Sequence, residues 1–235
     1  VRGRAAWGAR AGVDGMRRVM VAAWLVGLVG VALTATSLVS LHEGYKLVSV
    51  RGESMRPTYD IGDSVLVERI GAAEVRRGDV VLYEAPERYR GADVAQRVIG
   101  VGGDRVVCCV AAAGTGAERI VRNGKPLVEP YVRDGVGDGL RQPYDVLVPP
   151  GRLSLLGDHR MKARDSRAFV SDHGGTVPAG AVVGRVTGDY AVPVLLALLL
   201  LLGLALLLGA ALIAIGARRV RRRPSVLTRW WPERL

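Results

Sequence analysis

Two stretches of the chain carry no charged residue: residues 19–41, 23 residues long, and residues 191–217, 27 residues long and mostly leucine from Val194 onward. About 20 apolar residues in a helix span the hydrocarbon of a bilayer, so both stretches predict transmembrane helices. The first is long for the apolar core of a cleavable signal peptide, about 7–15 residues, although Ala35 and Ser37 supply a small-residue pattern at which cleavage would fall. The second has no polar face to offer water, which excludes an ordinary surface helix of a soluble fold. Between them the pattern changes. Residues 46–50 (KLVSV), 64–68 (SVLVE), 79–83 (DVVLY), 105–110 (RVVCCV) and 119–122 (RIVR) are short β-branched runs bounded by Gly, Asp and Pro. Asn123-Gly124 is a hairpin turn signal, and no 3.6-residue apolar period persists in this region. The expectation is one mainly β domain over residues 42–190. Residues 111–116 form a small-residue loop expected to be mobile.

Charge orients this layout. The net charge is +11, yet residues 1–18 hold +4 of it and residues 218–235 hold +6, so the middle is nearly neutral. The β domain therefore has no electrostatic reason to bind nucleic acid. Arginine clusters just outside a span mark its cytoplasmic side. Both basic tails, 1–18 and 218–235, are thus expected in the cytoplasm, with the domain on the far side of the cytoplasmic membrane. Trp230 and Trp231 are expected at the lipid interface. Only three lysines occur, Lys46, Lys125 and Lys162.

Several boxes carry chemistry. Residues 50–58 read VRGESMRPT and are followed by Gly62-Asp63; residues 97–106 read RVIGVGGDRV; residues 157–167 read GDHRMKARDSR; residues 123–131 read NGKPLVEPY. In this order, and beginning a few residues after a membrane span, they resemble the boxes of the signal peptidase I family. The resemblance covers the whole middle domain. It implies two coiled antiparallel β-sheets held between transmembrane helices. It also implies a serine endopeptidase that removes leader peptides from exported proteins after small residues. By this match Ser54 is the nucleophile. Its own backbone N–H helps hold the oxyanion, with Met55 beside it, and Gly52 stands where some members supply a serine hydroxyl. Asp158, Arg160, Asp165 and Arg167 hold the site together. The implied partners are signal peptides, the bilayer and the secretion translocon, with no cofactor.

Two positions depart from the family together. The lysine that takes the serine's proton directly precedes the arginine of the second box, and here that residue is Gln96. An amide has no useful basicity, and a guanidinium such as Arg97 stays charged. The serine that orients the family lysine is also absent, replaced by Ala163. A relocated base would have to be Lys162 or His159. Lys162 should point away from the site if its segment is extended, because neighbouring residues then face opposite sides. Lys46 and Lys125 read as a residue near the membrane surface and an exposed hairpin residue. The expectation is a weak peptidase or, alternatively, an inactive homologue that binds leader peptides or assists an active paralogue. Cys108 and Cys109 are expected as two small strand residues, one facing in and one out. No His/Cys grouping has metal-ligand spacing, so no metal is expected.

Overall fold

The computed structural model describes residues 3–111, 118–139 and 144–221, with side chains described from residue 15 to 219. Trp230, Trp231 and, apart from the backbone of Ala111, the small-residue loop at 111–116 lie outside the described residues. The chain divides into two compact units, one holding the two long helices and the other spanning Glu43–Asp189.

In the helical unit, α1 runs Gly3–Gly44 and the last helix runs Ala191–Arg221. α1 is longer than its uncharged stretch and passes through Arg17 and Arg18 without a break. Within the helices, Gly15–Gly44 and Ala191–Arg219 are long and apolar enough to cross a membrane, with mean hydropathies of 2.1 and 3.0. Their leucines are mostly exposed, Leu28, Leu198 and Leu201 among them, as for a helix solvated by lipid rather than by a protein core. The two helices meet on small residues. A Cβ at Gly203 would lie 2.5 Å from Thr34 Oγ1, and one at Gly30 would lie 2.9 Å from the Gly203 carbonyl. Such close backbone approach is what small residues permit between membrane helices.

The second unit is mainly β. Its strands are β1 (Tyr45–Ser49), β2 (Ser64–Glu68), β3 (Val80–Glu84), β4 (Asp93–Val101), β5 (Arg105–Ala111), β6 (Glu118–Arg122), β7 (Lys125–Pro126), β8 (Tyr144–Leu147), β9 (Arg152–Leu156), β10 (Val177–Pro178) and β11 (Val182–Thr187). One short helix, α2 (Pro86–Tyr89), links β3 to β4, and α3 is the C-terminal helix already given. The strands make a seven-stranded sheet, β1-β2-β11-β3-β4-β9-β10, and a four-stranded sheet, β7-β6-β5-β8. Every pairing is antiparallel.

The larger sheet curls. β1 and β4 are four strand spacings apart, about 19 Å in a flat sheet, yet Lys46 Nζ of β1 lies 3.0 Å from Asp93 Oδ2 of β4. Register shifts at Val182/Gly184 in β11 and Val98/Gly100 in β4 bend the strands. Glycine is required at the first, where a Cβ would sit 2.4 Å from the Glu68 carbonyl. β3 is buried on both faces from Val80 to Tyr83, which is why its sequence is a continuous apolar run rather than an alternating one. Val81, Tyr83, Val98 and Leu155 pack on one face of the curl, and Val65, Val67 and Leu82 on the other. Ile99 and Leu156 join Val106, Ile120 and Tyr144 of the smaller sheet in a third cluster.

One expectation is overturned here. Cys108 and Cys109 are joined to each other as a disulfide, not left as two separate strand residues. The β5–β6 register shifts between Val107 and Val110, so the strand is irregular where the two sulfurs meet.

Candidate active site

Ser54 lies in the loop between β1 and β2. The loop is closed at its base by Val50 N–H to Asp63 O (2.8 Å) and Gly62 N–H to Val50 O (2.9 Å). Arg56 braces it from within, donating to Glu53 (2.8 Å) and Asp60 (2.6 Å). Met55 anchors it in the protein interior. The Ser54 carbonyl accepts from His159 N–H at 2.9 Å. Beside it lies Gly157, where a Cβ would fall 2.6 Å from that carbonyl and 2.4 Å from Ala163 Cβ. Only glycine lets the serine loop and the Ala163 segment close on one point. Ser54 Oγ makes no hydrogen bond among the described residues, and the N–H groups of Ser54 and Met55 are likewise unspent there. Gly52 is exposed and brings no side-chain donor.

Gln96 is 1% exposed, and both ends of its amide are engaged. Its Nε2 donates to the Arg164 carbonyl at 3.0 Å, and its Oε1 accepts from Tyr83 Oη at 2.7 Å. The carbonyl can only accept, which fixes which end of the amide faces it. Tyr89 Oη donates to the same Arg164 carbonyl at 2.7 Å. Burial, with Tyr89 adding to it, pushes the Tyr83 hydroxyl well above the ordinary tyrosine range, so it stays a donor. No hydrogen bond joins Gln96 to Ser54 among the described residues.

The surrounding ionic framework has two centres. Asp158 is fully buried and accepts from Arg97 Nε (2.9 Å) and Nη2 (2.6 Å), and from the Thr58 hydroxyl. Arg97 also donates to Gly78 O and stacks 3.9 Å from the Tyr131 ring centre. Burial opposes its charge, but Asp158 outweighs burial and the pKa moves up. In the second centre Asp165, also fully buried, takes Arg167 through both oxygens at 2.9 and 2.7 Å and receives Gly157 N–H at 3.1 Å. Arg167 reaches on to Asp138 at 3.0 Å. Arg160 is buried too, bonded to Gly157 O, Gly137 O and Glu129.

The candidates for a relocated base separate. Lys162 is exposed on a turn, not on an extended segment. His159 is largely buried, and its ring Nδ1 lies 3.2 Å from the Glu53 carbonyl. A carbonyl demands a donor, so the proton of the neutral ring sits on Nδ1 and the basic lone pair on Nε2. His159 is therefore tied to the serine loop through both backbone and ring. Lys46 is paired with Asp93. The one grouping of potential metal ligands among the described residues is Cys108, Cys109 and Asp138. Its sulfurs are bonded to each other and its carboxylate is paired with Arg167, so it is not a free ligand set.

A groove of about 640 Å³ runs up to Ser54. One wall is residues 46–52 of β1 and its extension, the other is residues 91–95, and Val65, Leu82, Val186 and Tyr59 line it between them. Both walls are free strand edges. Among the described residues β1 pairs only with β2. β4 pairs with β3 from Asp93 onward, but with β9 only from Arg97. Sequence reasoning missed Tyr83, Tyr89, Glu129 and Asp138 as parts of the site. Nothing local marks them, because their partners lie far along the chain.

The family described as signal peptidase, peptidase S26, matches residues 18–191 of the chain. Signal peptidase I of Bacillus caldolyticus is 31% identical over 175 residues, covering 69% of this chain and 86% of that protein. Signal peptidase IB of Staphylococcus aureus (strain Mu50 / ATCC 700699) is 31% identical over 156 residues, covering 59% and 74%. A crystal structure of a signal peptidase I from Enterococcus faecalis V583 superposes with a TM-score of 0.37 at 26% identity, over 48% of this chain and 97% of that one.

Proposed function

The chain belongs to the signal peptidase family, peptidase S26, and on that footing we propose that it binds leader peptides of exported proteins and cleaves them slowly through Ser54. The observation that carries this reading is the groove between two unpaired strand edges that ends at Ser54. An extended peptide adds to such edges by main-chain hydrogen bonds, and side chains of alternate residues turn toward the walls. With Val48, Val50, Met55 and Ala95 crowding the groove, small residues such as alanine fit at the two inward positions next to the cleaved bond.

In this reading the Ser54 hydroxyl attacks the peptide carbonyl, and the developing oxyanion is held by the N–H groups of Ser54 and Met55. Asp158, Arg160, Asp165 and Arg167 keep the serine loop in place and touch no reacting atom. What is missing is the proton acceptor. Gln96 at the family's lysine position has no basic atom. The hydrogen bonding of both ends of its amide favours a second reading, an inactive homologue that holds leader peptides or assists an active paralogue. His159, with its lone pair on Nε2, is the residue to examine if cleavage is fast. The distribution of arginine supports a two-pass protein of the cytoplasmic membrane, with residues 1–18 and 218–235 inside and residues 42–190 outside. Association with the secretion translocon would follow from that placement.

The test is a leader peptide carrying a photoreactive residue next to its cleavage site, mixed with the full chain in detergent micelles. Labelling of residues 46–55 and 91–96, competed by unlabelled leader peptide, is the expected result. Labelling spread over other surfaces and insensitive to competitor would refute the peptide groove.

A further inference from the structure

The groove has an ion pair across one end that the reaction does not use. Lys46 Nζ and Asp93 Oδ2 are 3.0 Å apart, one on each wall, and both are partly exposed. Strand directions show which end this is. Four successive antiparallel pairings separate β1 from β4, so the two run the same way. Lys46 and Asp93 stand near the start of each strand, and both strands run from there toward the site, β1 to Ser54 and β4 to Gln96. In the peptide-binding reading the small residues that precede the cleaved bond lie in this groove, so the upstream part of the peptide lies back along β1 from Ser54. The ion pair therefore spans the upstream end of the bound segment.

The spacing decides whether the pair blocks or straps. One strand inserted between two others holds them about 9.5 Å apart, twice the inter-strand distance. Lysine's four-carbon stem with an aspartate opposite can bridge such a gap, so the pair can sit across a bound strand. At about 3.3 Å per residue, the stretch between Lys46 and Gly52 accommodates about six peptide residues, and that between Asp93 and Gln96 about three. The peptide residue under the pair is thus about three to six positions upstream of the cleaved bond.

Resting on the peptide-binding reading above, we propose that Lys46 and Asp93 form a charge-paired clasp over the upstream part of the leader peptide and make the groove selective for the charge of the residue beneath it. The intact pair presents both signs and neutralises itself, so a neutral residue is accepted best. A charged one must break the pair, leaving one partner beside a like charge. Removing one partner gives the groove a sign. Lys46→Met leaves Asp93 alone and favours a basic peptide residue; Asp93→Asn leaves Lys46 alone and favours an acidic one. Neither residue contacts Ser54 or Gln96.

The experiment measures equilibrium binding of fluorescent leader peptides to the full chain in micelles, at low and high salt. The peptides carry Gln, Glu or Lys in turn at each of the third, fourth, fifth and sixth positions before the cleavage site. At one of these positions the Lys/Glu affinity ratio should rise about two- to fivefold in Lys46→Met and fall by a similar factor in Asp93→Asn, the range expected of an exposed pair. Both shifts should shrink in high salt. The exchanged double variant, Lys46→Asp with Asp93→Lys, should restore the wild-type preference. Ratios unchanged in both single variants, with tight binding throughout, would overturn the clasp while leaving the groove intact. Absence of any peptide binding would overturn both.

Discussion

Replacing Gln96 by Lys and Ala163 by Ser together should convert a slow site into a fast one. Gln96 is sealed from solvent, and its two hydrogen bonds come from Tyr83 Oη and go to the Arg164 carbonyl. A neutral lysine amine donates to Arg164 O and keeps its single lone pair for the Ser54 proton, while Tyr83 Oη donates instead to Tyr89 Oη, 3.0 Å away. An ammonium cannot accept, and burial already disfavours its charge. The site thus selects the neutral amine that a general base must be. Lysine alone has no group to turn it from Arg164 O toward Ser54. Ala163, which precedes Arg164 and packs against Gly157 beside the Ser54 carbonyl, is where a hydroxyl would do so. A well-placed base contributes about 10²–10⁴-fold, or roughly 3–5 kcal/mol of barrier. The double variant should gain a factor in that range and Gln96→Lys alone distinctly less. Loss of the native amide contacts should lower stability by about 1–2 kcal/mol. The assay is cleavage of a fluorogenic leader peptide in micelles across pH 7–10, with Ser54→Ala as the blank. The double variant should show a rising alkaline limb that wild type lacks. A double variant no faster than wild type, yet folded and peptide-binding, would refute this reasoning.

Gly157→Ala should lower thermal stability by about 1–3 kcal/mol through overpacking, and it should weaken peptide binding more than a remote substitution of equal cost, because the added methyl meets Ser54 O and Ala163. Arg167→Ala leaves the buried carboxylate of Asp165 without its counter-charge and removes one partner of Asp138, a loss of about 3–5 kcal/mol to be read from the unfolding midpoint in urea. Asp104 is held down at about 2: burial resists its charge, but Arg77, the Val101 N–H and Asn123 outweigh burial. Its stabilisation is therefore present above the ordinary carboxylate pKa of about 3.9 and lost as pH falls through about 2, so wild type should lose more stability between pH 5 and 2 than Asp104→Asn does.

The sequence was most legible where a single segment decides its own structure. The uncharged stretches are helical, and the β-branched runs at β1, β2, β3, β5 and β6 are strands displaced by one residue at most. β11 was harder to see because Gly184 interrupts its apolar run, and that glycine exists to let the Glu68 backbone close in. β8 and β9 flank Pro149-Pro150-Gly151, itself a turn signal, but their short runs, YDVL and RLSLL, are less β-branched than those of β2 and β3. The curl of the large sheet is set by β11 pairing back between β2 and β3, a contact over more than a hundred residues that no local pattern encodes. The site divides in the same way. The boxes around Ser54, Gln96 and Asp165 stand out because their residues are close in sequence. The Tyr83 bond to Gln96 needs the pairing of β3 with β4, and the Lys46–Asp93 pair exists only once the sheet has curled. The adjacent cysteines were readable as a pair, but whether they bond depends on the local irregularity of β5, which their sequence does not display.

The account stands or falls on whether Ser54 works without a competent base at residue 96. The direct measurement is the cleavage rate of one leader peptide by wild type and by Ser54→Ala, with the affinity of both for the same peptide determined in parallel. Equal affinities, with a low wild-type rate that vanishes in Ser54→Ala, are predicted. A wild-type rate that survives Ser54→Ala would remove Ser54 from the chemistry. A rate already equal to that gained by the Gln96→Lys, Ala163→Ser variant would mean that another group, with His159 tested first, takes the proton.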